Sequence, residues 1–167
     1  MSEKFLNIEL KDGAVKIAML ADVAPSHVER ITTLAEKGAY DGIAFHRVID
    51  GFMAQTGDVE HGVVDGDGEA SDRAGTGGSD LPNLKAEFSK LPFDRGVCGM
   101  ARAQSPDSAN SQFFIMFDDG HFLNNQYTVW GRVVSGMDHV DAIKRGSGGS
   151  GAVTQPDAMV KVTVSEA

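Results

Sequence analysis

Hydrophobic and polar residues alternate along the start of the chain, and strict alternation is typical of a half-buried β-strand. The apolar positions of two successive runs are Leu6, Ile8, Leu10, Val15, Ile17 and Met19. Asp12 and Gly13 separate the runs, and an Asp-Gly pair in that position is a strong hairpin signal. The start of the chain therefore predicts two antiparallel strands joined by a tight turn.

The apolar spacing changes to that of a helix after Pro25, a residue that suits the first helical turn. The positions that recur at this spacing, before Gly38 ends the pattern, are Val28, Ile31, Leu34 and Ala35. A shorter helix fits Met137 to Lys144, because Val140 and Ile143 fall on one face. We therefore predict two short α-helices.

Short strand-like segments fill much of the remaining chain. They lie at residues 43 to 49, 52 to 56, 96 to 101, 112 to 117, 128 to 134 and 159 to 164. Residues 60 to 83 and 146 to 151 are interpreted as loops, since they are rich in Gly with Asp or Ser and hold little that could pack. Many short strands without βαβ alternation predict a mainly β fold, a closed or nearly closed antiparallel barrel. We find no domain boundary, so residues 1 to 167 are interpreted as a single domain.

Composition narrows the classes of function. The 167 residues carry 15 Lys and Arg against 24 Asp and Glu, a net charge of −9 that disfavours binding to nucleic acid. No stretch approaches the roughly 18 apolar residues of a membrane span. The first residues lack the basic and apolar regions of a secretory signal, and the single cysteine, Cys98, cannot form an intramolecular disulfide. We therefore expect a cytoplasmic protein.

Motifs that suggest cofactor or metal chemistry lack the expected context. GSGGSG (146 to 151) satisfies G-x-G-x-x-G, but it follows a predicted helix instead of opening one. DGDGEASDRAGT (65 to 76) has Ala70 and Thr76 where a calcium loop requires Gly and Glu. The histidines show no metal-ligand spacing. We expect no metal and no cofactor. A spatial Ser-His-Asp arrangement stays open, although no G-x-S-x-G elbow seats a nucleophile.

Apolar and amide side chains shared by several strand-like segments form a candidate binding surface. They are Phe52, Met53, Gln55, Ala101, Gln112, Phe114, Phe122, Leu123 and Tyr127. Each large apolar residue, taken singly, is better explained as barrel core. Arg47 suggests an alternative, because it lies between Phe45 and Val48 in an apolar run. This arginine either faces solvent from a half-buried strand or faces a hydrophobic pocket.

The chain resembles the cyclophilin family of peptidyl-prolyl cis-trans isomerases, and it is most similar to the compact bacterial members. The motifs that carry the resemblance are FHRVIDGFMAQTGD (45 to 58), GTGG (75 to 78), GMARA (99 to 103), SQFFI (111 to 115) and FLNNQYTVWGRV (122 to 133). Their order and spacing match the family from about Leu6 to Val164. The combination is highly specific, whereas no single motif would suffice.

The resemblance implies a closed antiparallel barrel of about eight strands with a helix capping each end and the active groove on its outer surface. It implies that Arg47 is catalytic. It implies a proline pocket formed by Phe52, Met53, Phe114 and Leu123. The peptide main chain would be held by Gln55, Gln112 and the backbone of Ala101, Arg102 and Ala103. Phe122 and Tyr127 would line the groove.

The sequence departs from the family pattern at several positions. Arg102 stands where many members have Asn, which adds a positive charge to the groove. Tyr127 replaces the His of animal members, and Phe122 replaces their Trp. Loss of the indole donor predicts weakened binding of cyclosporin-type macrocycles. The loop at residues 60 to 74 is longer and more acidic than usual.

The leading hypothesis is a monomeric isomerase that acts on X-Pro bonds in folding or folded client proteins, without a covalent intermediate. Arginine suits this chemistry because it is always charged and presents several fixed donors. A proline-peptide binding module or holdase is the main alternative, since sequence does not separate binding from turnover. A barrel that carries a small ligand inside would require an internal cavity, but the apolar strand residues suffice to fill the interior.

Overall fold

The computed structural model describes residues 3–166, which form a mainly β structure. The strands are β1 (Lys4–Leu10), β2 (Gly13–Met19), β3 (Ile43–Ala44), β4 (Arg47–Ile49), β5 (Met53–Thr56), β6 (Val97–Met100), β7 (Phe113–Met116), β8 (Val129–Ser135), β9 (Ala158–Met159) and β10 (Lys161–Glu166). The helices are α1 (Pro25–Glu36), α2 (Met137–Asp141) and one 3₁₀ turn (His121–Leu123). None of the helices within residues 3–166 combines the length and apolar character needed to cross a membrane.

Eight strands form one curled antiparallel sheet in the order β10-β1-β2-β8-β6-β7-β5-β4. The prediction of a mainly β fold with two helices is confirmed, but the expected closed barrel is not. In the part of the chain that the structure describes, no ladder joins the edge strands β4 and β10, and β3 pairs instead with β9 in a separate two-stranded sheet. The sheet is therefore an open half-barrel.

The GSGGSG loop explains why β4 remains an edge strand. The Val48 N–H donates to the Gly151 carbonyl at 2.9 Å, and the Gly146 N–H donates to the Val48 carbonyl at 2.8 Å. A Cβ on Gly151 would lie 2.6 Å from Ile49 Cγ1, so only glycine allows the loop to approach this closely. The loop occupies the backbone groups on the outer edge of β4, which protects an otherwise exposed strand edge.

Alternation along the central strands separates two apolar clusters on opposite faces of the sheet. On β7, Phe113 and Ile115 enter the main core, whereas Phe114 and Met116 enter a second cluster. The largest side chains that fill the main core include Trp130, Tyr40, Phe45, Phe113, Leu6 and Ile8, all fully buried. The inner face is thus occupied by packed side chains, and the second cluster belongs to the outer face.

Several element boundaries differ from the sequence expectation. The predicted strand at 43 to 49 is two strands, β3 and β4, because the intervening backbone pairs with neighbouring loops. The second helix ends at Asp141 instead of Lys144, since the Lys144 N–H donates to Asp157 Oδ2 in another loop. The first hairpin is confirmed, but its turn lies at residues 11 and 12 because Leu10 pairs with Gly13.

Candidate functional site

Four strands bring a charged group, an amide and an aromatic ring into one row across the outer face. Arg47 of β4 lies opposite Gln55 of β5, Gln55 lies opposite Phe114 of β7, and Phe114 lies opposite Gly99 of β6. Directly opposed residues share a face of the sheet. The next row on that face holds Ile49, Met53 and Met116, and the intervening row faces the core.

Several side chains of these rows line a cavity of about 290 Å³, which we name the slot. It is lined by Arg47, Phe52, Met53, Gln55, Ala101, Arg102, Phe114, Phe122, Leu123 and Tyr127. Met53, Phe114 and Leu123 are buried, whereas Phe122 is 72% exposed. The slot therefore has an apolar floor and an exposed aromatic side chain at its rim.

Two residues predicted for the site lie outside the slot. Ala103 and Gln112 line a neighbouring cavity of about 340 Å³, together with the GTGG segment. Ala101 and Arg102 line both cavities. The two cavities were not predicted from the motifs, because motif order carries no information about which side of a backbone segment each side chain occupies.

Arg47 is held at the edge of the slot by two hydrogen bonds. Its Nε donates to the Ser150 carbonyl at 3.0 Å, and its Nη1 donates to Gln55 Oε1 at 3.4 Å. Among the described residues, Nη2 has no hydrogen-bond partner. The side chain is exposed, so water screens its field until a ligand covers the slot. This arrangement leaves guanidinium donors available to a bound molecule.

A chain of side-chain amides connects Arg47 to the GTGG segment. Gln55 Nε2 donates to Gln112 Oε1 at 3.0 Å. Gln112 Nε2 donates to the carbonyl oxygens of Gly75 and Gly77 at 2.9 and 3.0 Å. The orientation of Gln55, which contacts Arg47, therefore depends on a loop that lies far away in sequence.

Asp58 organises that loop from beneath. Its buried carboxylate accepts four backbone N–H groups, from Glu60, His61, Gly75 and Gly77, at 2.7 to 3.0 Å. Burial alone would raise the pKa of Asp58, but these hydrogen bonds outweigh burial and lower it. This role was not predicted from the sequence, because the Gly75 and Gly77 N–H groups that Asp58 accepts lie 17 and 19 residues away.

Two further residues that the sequence analysis missed shape the floor of the slot. Phe93 stacks on Phe114 with ring centroids 5.8 Å apart and an interplanar angle of 23°. A Cβ on Gly99 would lie 2.5 Å from Phe114 Cζ and 2.6 Å from Phe93 Cε1. Position 99 therefore requires glycine, because the rings of Phe93 and Phe114 pack directly against the backbone of β6 there. A glycine inside a strand is the signal that could have indicated this close approach.

The backbone after β6 is partly engaged within the protein. The Ala101 N–H donates to the Gln112 carbonyl at 3.0 Å, and the Ala103 N–H donates to Ser108 Oγ at 2.8 Å. The Ala103 carbonyl accepts Nη1 of Arg102 at 3.0 Å. Within residues 3–166, the backbone N–H and carbonyl of Arg102 have no partner, so both remain available to a ligand.

One group of side chains has the composition of a metal site. Asp94, Asp119 and His121 each offer one ligand atom, and these atoms lie within 4.8 Å of one another. All three residues are exposed, and His121 Nε2 already lies 2.7 Å from Asp94 Oδ1 in a hydrogen bond. The group lies outside the residues that line the slot.

Comparison with known proteins places the chain in a family. The model for the cyclophilin type peptidyl-prolyl cis-trans isomerase family matches residues 5–164. A probable peptidyl-prolyl cis-trans isomerase of Brucella suis is 60% identical over 163 residues, which cover 97% of this chain and 83% of the relative. Peptidyl-prolyl cis-trans isomerase B of Escherichia coli is 36% identical to this chain over 167 residues. The match covers 92% of this chain and 95% of the Escherichia coli protein.

A solved structure agrees at the level of the fold. The crystal structure of a Cryptosporidium parvum cyclophilin type peptidyl-prolyl cis-trans isomerase in the presence of the dipeptide Ala-Pro superposes with a TM-score of 0.80. The two chains are 23% identical, and the match covers 96% of this chain and 98% of that one. The family match, the two relatives and the fold agree, and this chain belongs to the cyclophilin-type peptidyl-prolyl cis-trans isomerase family.

Proposed function

We propose that this protein accelerates rotation about X-Pro peptide bonds in client proteins, and thereby assists their folding. Rotation about a peptide bond faces a barrier of roughly 18–20 kcal/mol. X-Pro bonds populate both isomers yet exchange over tens to hundreds of seconds without a catalyst. The observation that carries the proposal is that Arg47 and the apolar floor of Met53, Phe114 and Leu123 line one cavity.

The proposed mechanism is binding of the twisted amide in preference to either planar isomer. The proline ring occupies the slot against Phe114 and Met53. As the C–N bond twists, the proline nitrogen becomes pyramidal and regains its lone pair, and a guanidinium N–H of Arg47 donates to it. No bond is formed or broken, so neither a nucleophile nor a cofactor takes part.

The surroundings of Arg47 support this role. Gln55 and the Ser150 carbonyl hold the guanidinium before a substrate arrives, which lowers the cost of ordering it. A bound peptide would cover the slot and exclude water, and the field of Arg47 is stronger in drier surroundings. The available backbone N–H and carbonyl of Arg102 would pair with the peptide main chain.

The test is an NMR exchange measurement on a short X-Pro peptide, with and without catalytic amounts of the protein. We expect Arg47→Ala to lower turnover by about 10²–10³, comparable to the loss of one transition-state donor. Arg132→Ala is the matched control, because Arg132 is an exposed arginine on β8 that lies outside the slot. Near-normal turnover by Arg47→Ala would reject the arginine mechanism.

Peptide affinity separates catalysis from simple binding. If the slot only held proline peptides, wild-type protein would bind the peptide without accelerating exchange. The proposal instead expects Arg47→Ala to retain most of its peptide affinity while losing turnover, because the apolar floor remains intact. The crystal structure of the Cryptosporidium parvum relative in the presence of Ala-Pro supports a proline-containing peptide as the ligand for such measurements.

A further inference from the structure

We propose that Arg102 is a positioning residue that fixes the width of the slot by joining its two walls. One wall is the backbone at residues 101–104, which follows β6. The other is the loop at residues 123–127, which precedes β8. This inference rests on the proposed function, because the slot matters only if it holds a proline peptide.

The guanidinium of Arg102 bonds to backbone carbonyls on both walls. Nε and Nη2 both donate to the Gln126 carbonyl, at 3.0 and 2.9 Å. Nη1 donates to the carbonyls of Ala103 and Gln104, both at 3.0 Å. These bonds use four of the five N–H donors that a guanidinium carries. The side chain is therefore committed to the protein instead of extending into the groove to bind a substrate.

The same side chain packs on an aromatic residue of the slot. Arg102 Cζ lies 4.7 Å from the ring centroid of Tyr127, within the range of a cation–π contact. Tyr127 meets Phe114 edge-on at 5.8 Å, with an interplanar angle of 88°. Arg102 thus holds Tyr127 against the floor on which the proline ring would rest.

The backbone of the 123–127 loop needs such support. Asn125 has a φ of 61°, a left-handed conformation that a non-glycine residue adopts at some cost. The Gln126 N–H donates to the Leu123 carbonyl at 2.9 Å, and the Gln126 carbonyl receives both bonds from Arg102. One residue therefore ties down a strained turn that carries Leu123 and Tyr127 into the slot.

Neither lysine nor asparagine can reproduce this arrangement. Lysine keeps the positive charge, but its ammonium is a compact point charge without the planar fork that reaches several carbonyls at once. Asparagine is shorter and uncharged. We name this set of bonds from Arg102 to the carbonyls of Gln126, Ala103 and Gln104 the clamp. Its effect differs from that of the added positive charge in the groove, which is all that the sequence predicted for Arg102.

The test compares Arg102→Lys and Arg102→Ala with wild type for peptide affinity and for turnover in the NMR exchange assay. We expect both variants to raise the dissociation constant of the peptide by about five- to tenfold. A slot of altered width should bind the planar peptide and the twisted amide more weakly to the same extent. We expect the maximal exchange rate on saturating peptide to change by less than about twofold. Arg132→Ala, which removes an equal charge, should match wild type.

Two readouts separate positioning from a general loss of stability. In wild type, the δ-methylene protons of Arg102 should show an upfield ring-current shift from Tyr127, and their counterparts in Arg102→Lys should lose it. Arg102→Ala and Tyr127→Leu should be non-additive in peptide affinity, because each breaks the same contact. Tyr127→Leu also serves as the second variant if an Arg102 variant folds poorly.

Specific outcomes would overturn the inference. Wild-type affinity in Arg102→Lys would show that charge alone suffices, and additive effects of Arg102→Ala and Tyr127→Leu would show that the two residues act independently. Failure of the proposed function can be distinguished from failure of the inference about Arg102. If wild-type protein does not accelerate exchange, the isomerase proposal fails, whereas peptide affinity and the ring-current shift still test the clamp.

Discussion

At the scale of single residues, Asp58 links the stability of the protein to the geometry of the slot. Its carboxylate holds the GTGG segment, whose carbonyls orient Gln112, which in turn contacts Gln55 beside Arg47. A charged acceptor of four N–H groups cannot be replaced by an amide, because one of the two amide atoms is itself a donor.

We therefore expect Asp58→Asn to lower the free energy of unfolding by about 1–3 kcal/mol, the cost of leaving buried donors unsatisfied. The lowered pKa of Asp58 gives the sign of the pH effect. Its contribution is complete above the ordinary carboxyl pKa and is lost as pH falls through the folded-state pKa. Urea unfolding measures the change. Asp65→Asn is the control, because Asp65 makes similar turn bonds in an exposed position.

Phe122 supports a prediction about inhibitors. Its ring packs at 5.4 Å on Phe52 and is largely exposed at the rim of the slot, but it offers no N–H donor. We expect Phe122→Trp to strengthen binding of a cyclosporin-type macrocycle by about tenfold, the value of one added hydrogen bond. Titration measures this, with Phe88→Trp as the control at an exposed phenylalanine outside the slot. Equal affinities of wild type and Phe122→Trp would contradict the prediction.

At the scale of elements, helix α1 begins without a side-chain cap of its own. Ala24 is the N-cap residue, and Glu87 of a distant loop supplies the missing acceptor. The Glu87 carboxylate accepts the N–H groups of Ser26 and His27 at 3.2 and 3.0 Å, and it also contacts His27 Nδ1 at 2.5 Å. The loop that precedes β6 is thereby attached to the helix that packs on β10.

Glu87→Gln should therefore lower the free energy of unfolding by about 0.5–2 kcal/mol, the range for loss of an N-terminal cap. Glu29→Gln is the matched control, because Glu29 is exposed on the same helix. Hydrogen exchange of the amides of Ser26 and His27 should quicken in Glu87→Gln alone. Equal stability of the two variants would show that Glu87 does not cap the helix.

The sequence predicted the elements more completely than the contacts that organise the site. Alternation and helical spacing located the hairpin of β1 and β2, the helix α1 and the strands that carry the outer-face rows, because these signals are local. The pairing of β3 with β9, the clamp at Arg102 and the cap from Glu87 join residues far apart in the chain. No local pattern specifies such partners, and the motif resemblance identified side chains without their hydrogen bonds.

At the scale of the whole molecule, the two faces of one curled sheet have different roles. The inner face is filled by the main core, and the outer face carries the slot on alternate residues of the same strands. Neighbouring residues of β5 or β7 therefore lie on opposite faces of the sheet, so one position contributes to the core and the next faces outward. The GSGGSG loop completes this arrangement, because it covers the edge of β4 and also supplies the Ser150 carbonyl to Arg47.

Two histidines with buried ring nitrogens should make the whole molecule sensitive to mild acid. His27 is fully buried, and neither buried ring nitrogen of His46 has a hydrogen-bond partner among residues 3–166. Burial lowers the pKa of each histidine in the folded state. Below the ordinary histidine pKa of about 6.5, the unfolded chain takes up protons that the folded protein does not. Stability is therefore present above that pH and is lost as pH falls toward the folded-state values.

We expect the free energy of unfolding to fall by up to about 1.4 kcal/mol per pH unit for each histidine within this window. His121 acts in the opposite direction, since its hydrogen bond to Asp94 raises its pKa, but its ring is exposed and water screens the effect. Urea unfolding between pH 7.5 and pH 5 can be followed by the fluorescence of the single, fully buried Trp130. His27→Gln with His46→Gln should flatten the slope, whereas His121→Gln should leave it unchanged or slightly steeper. An unchanged slope in the double variant would show that other groups set the acid response.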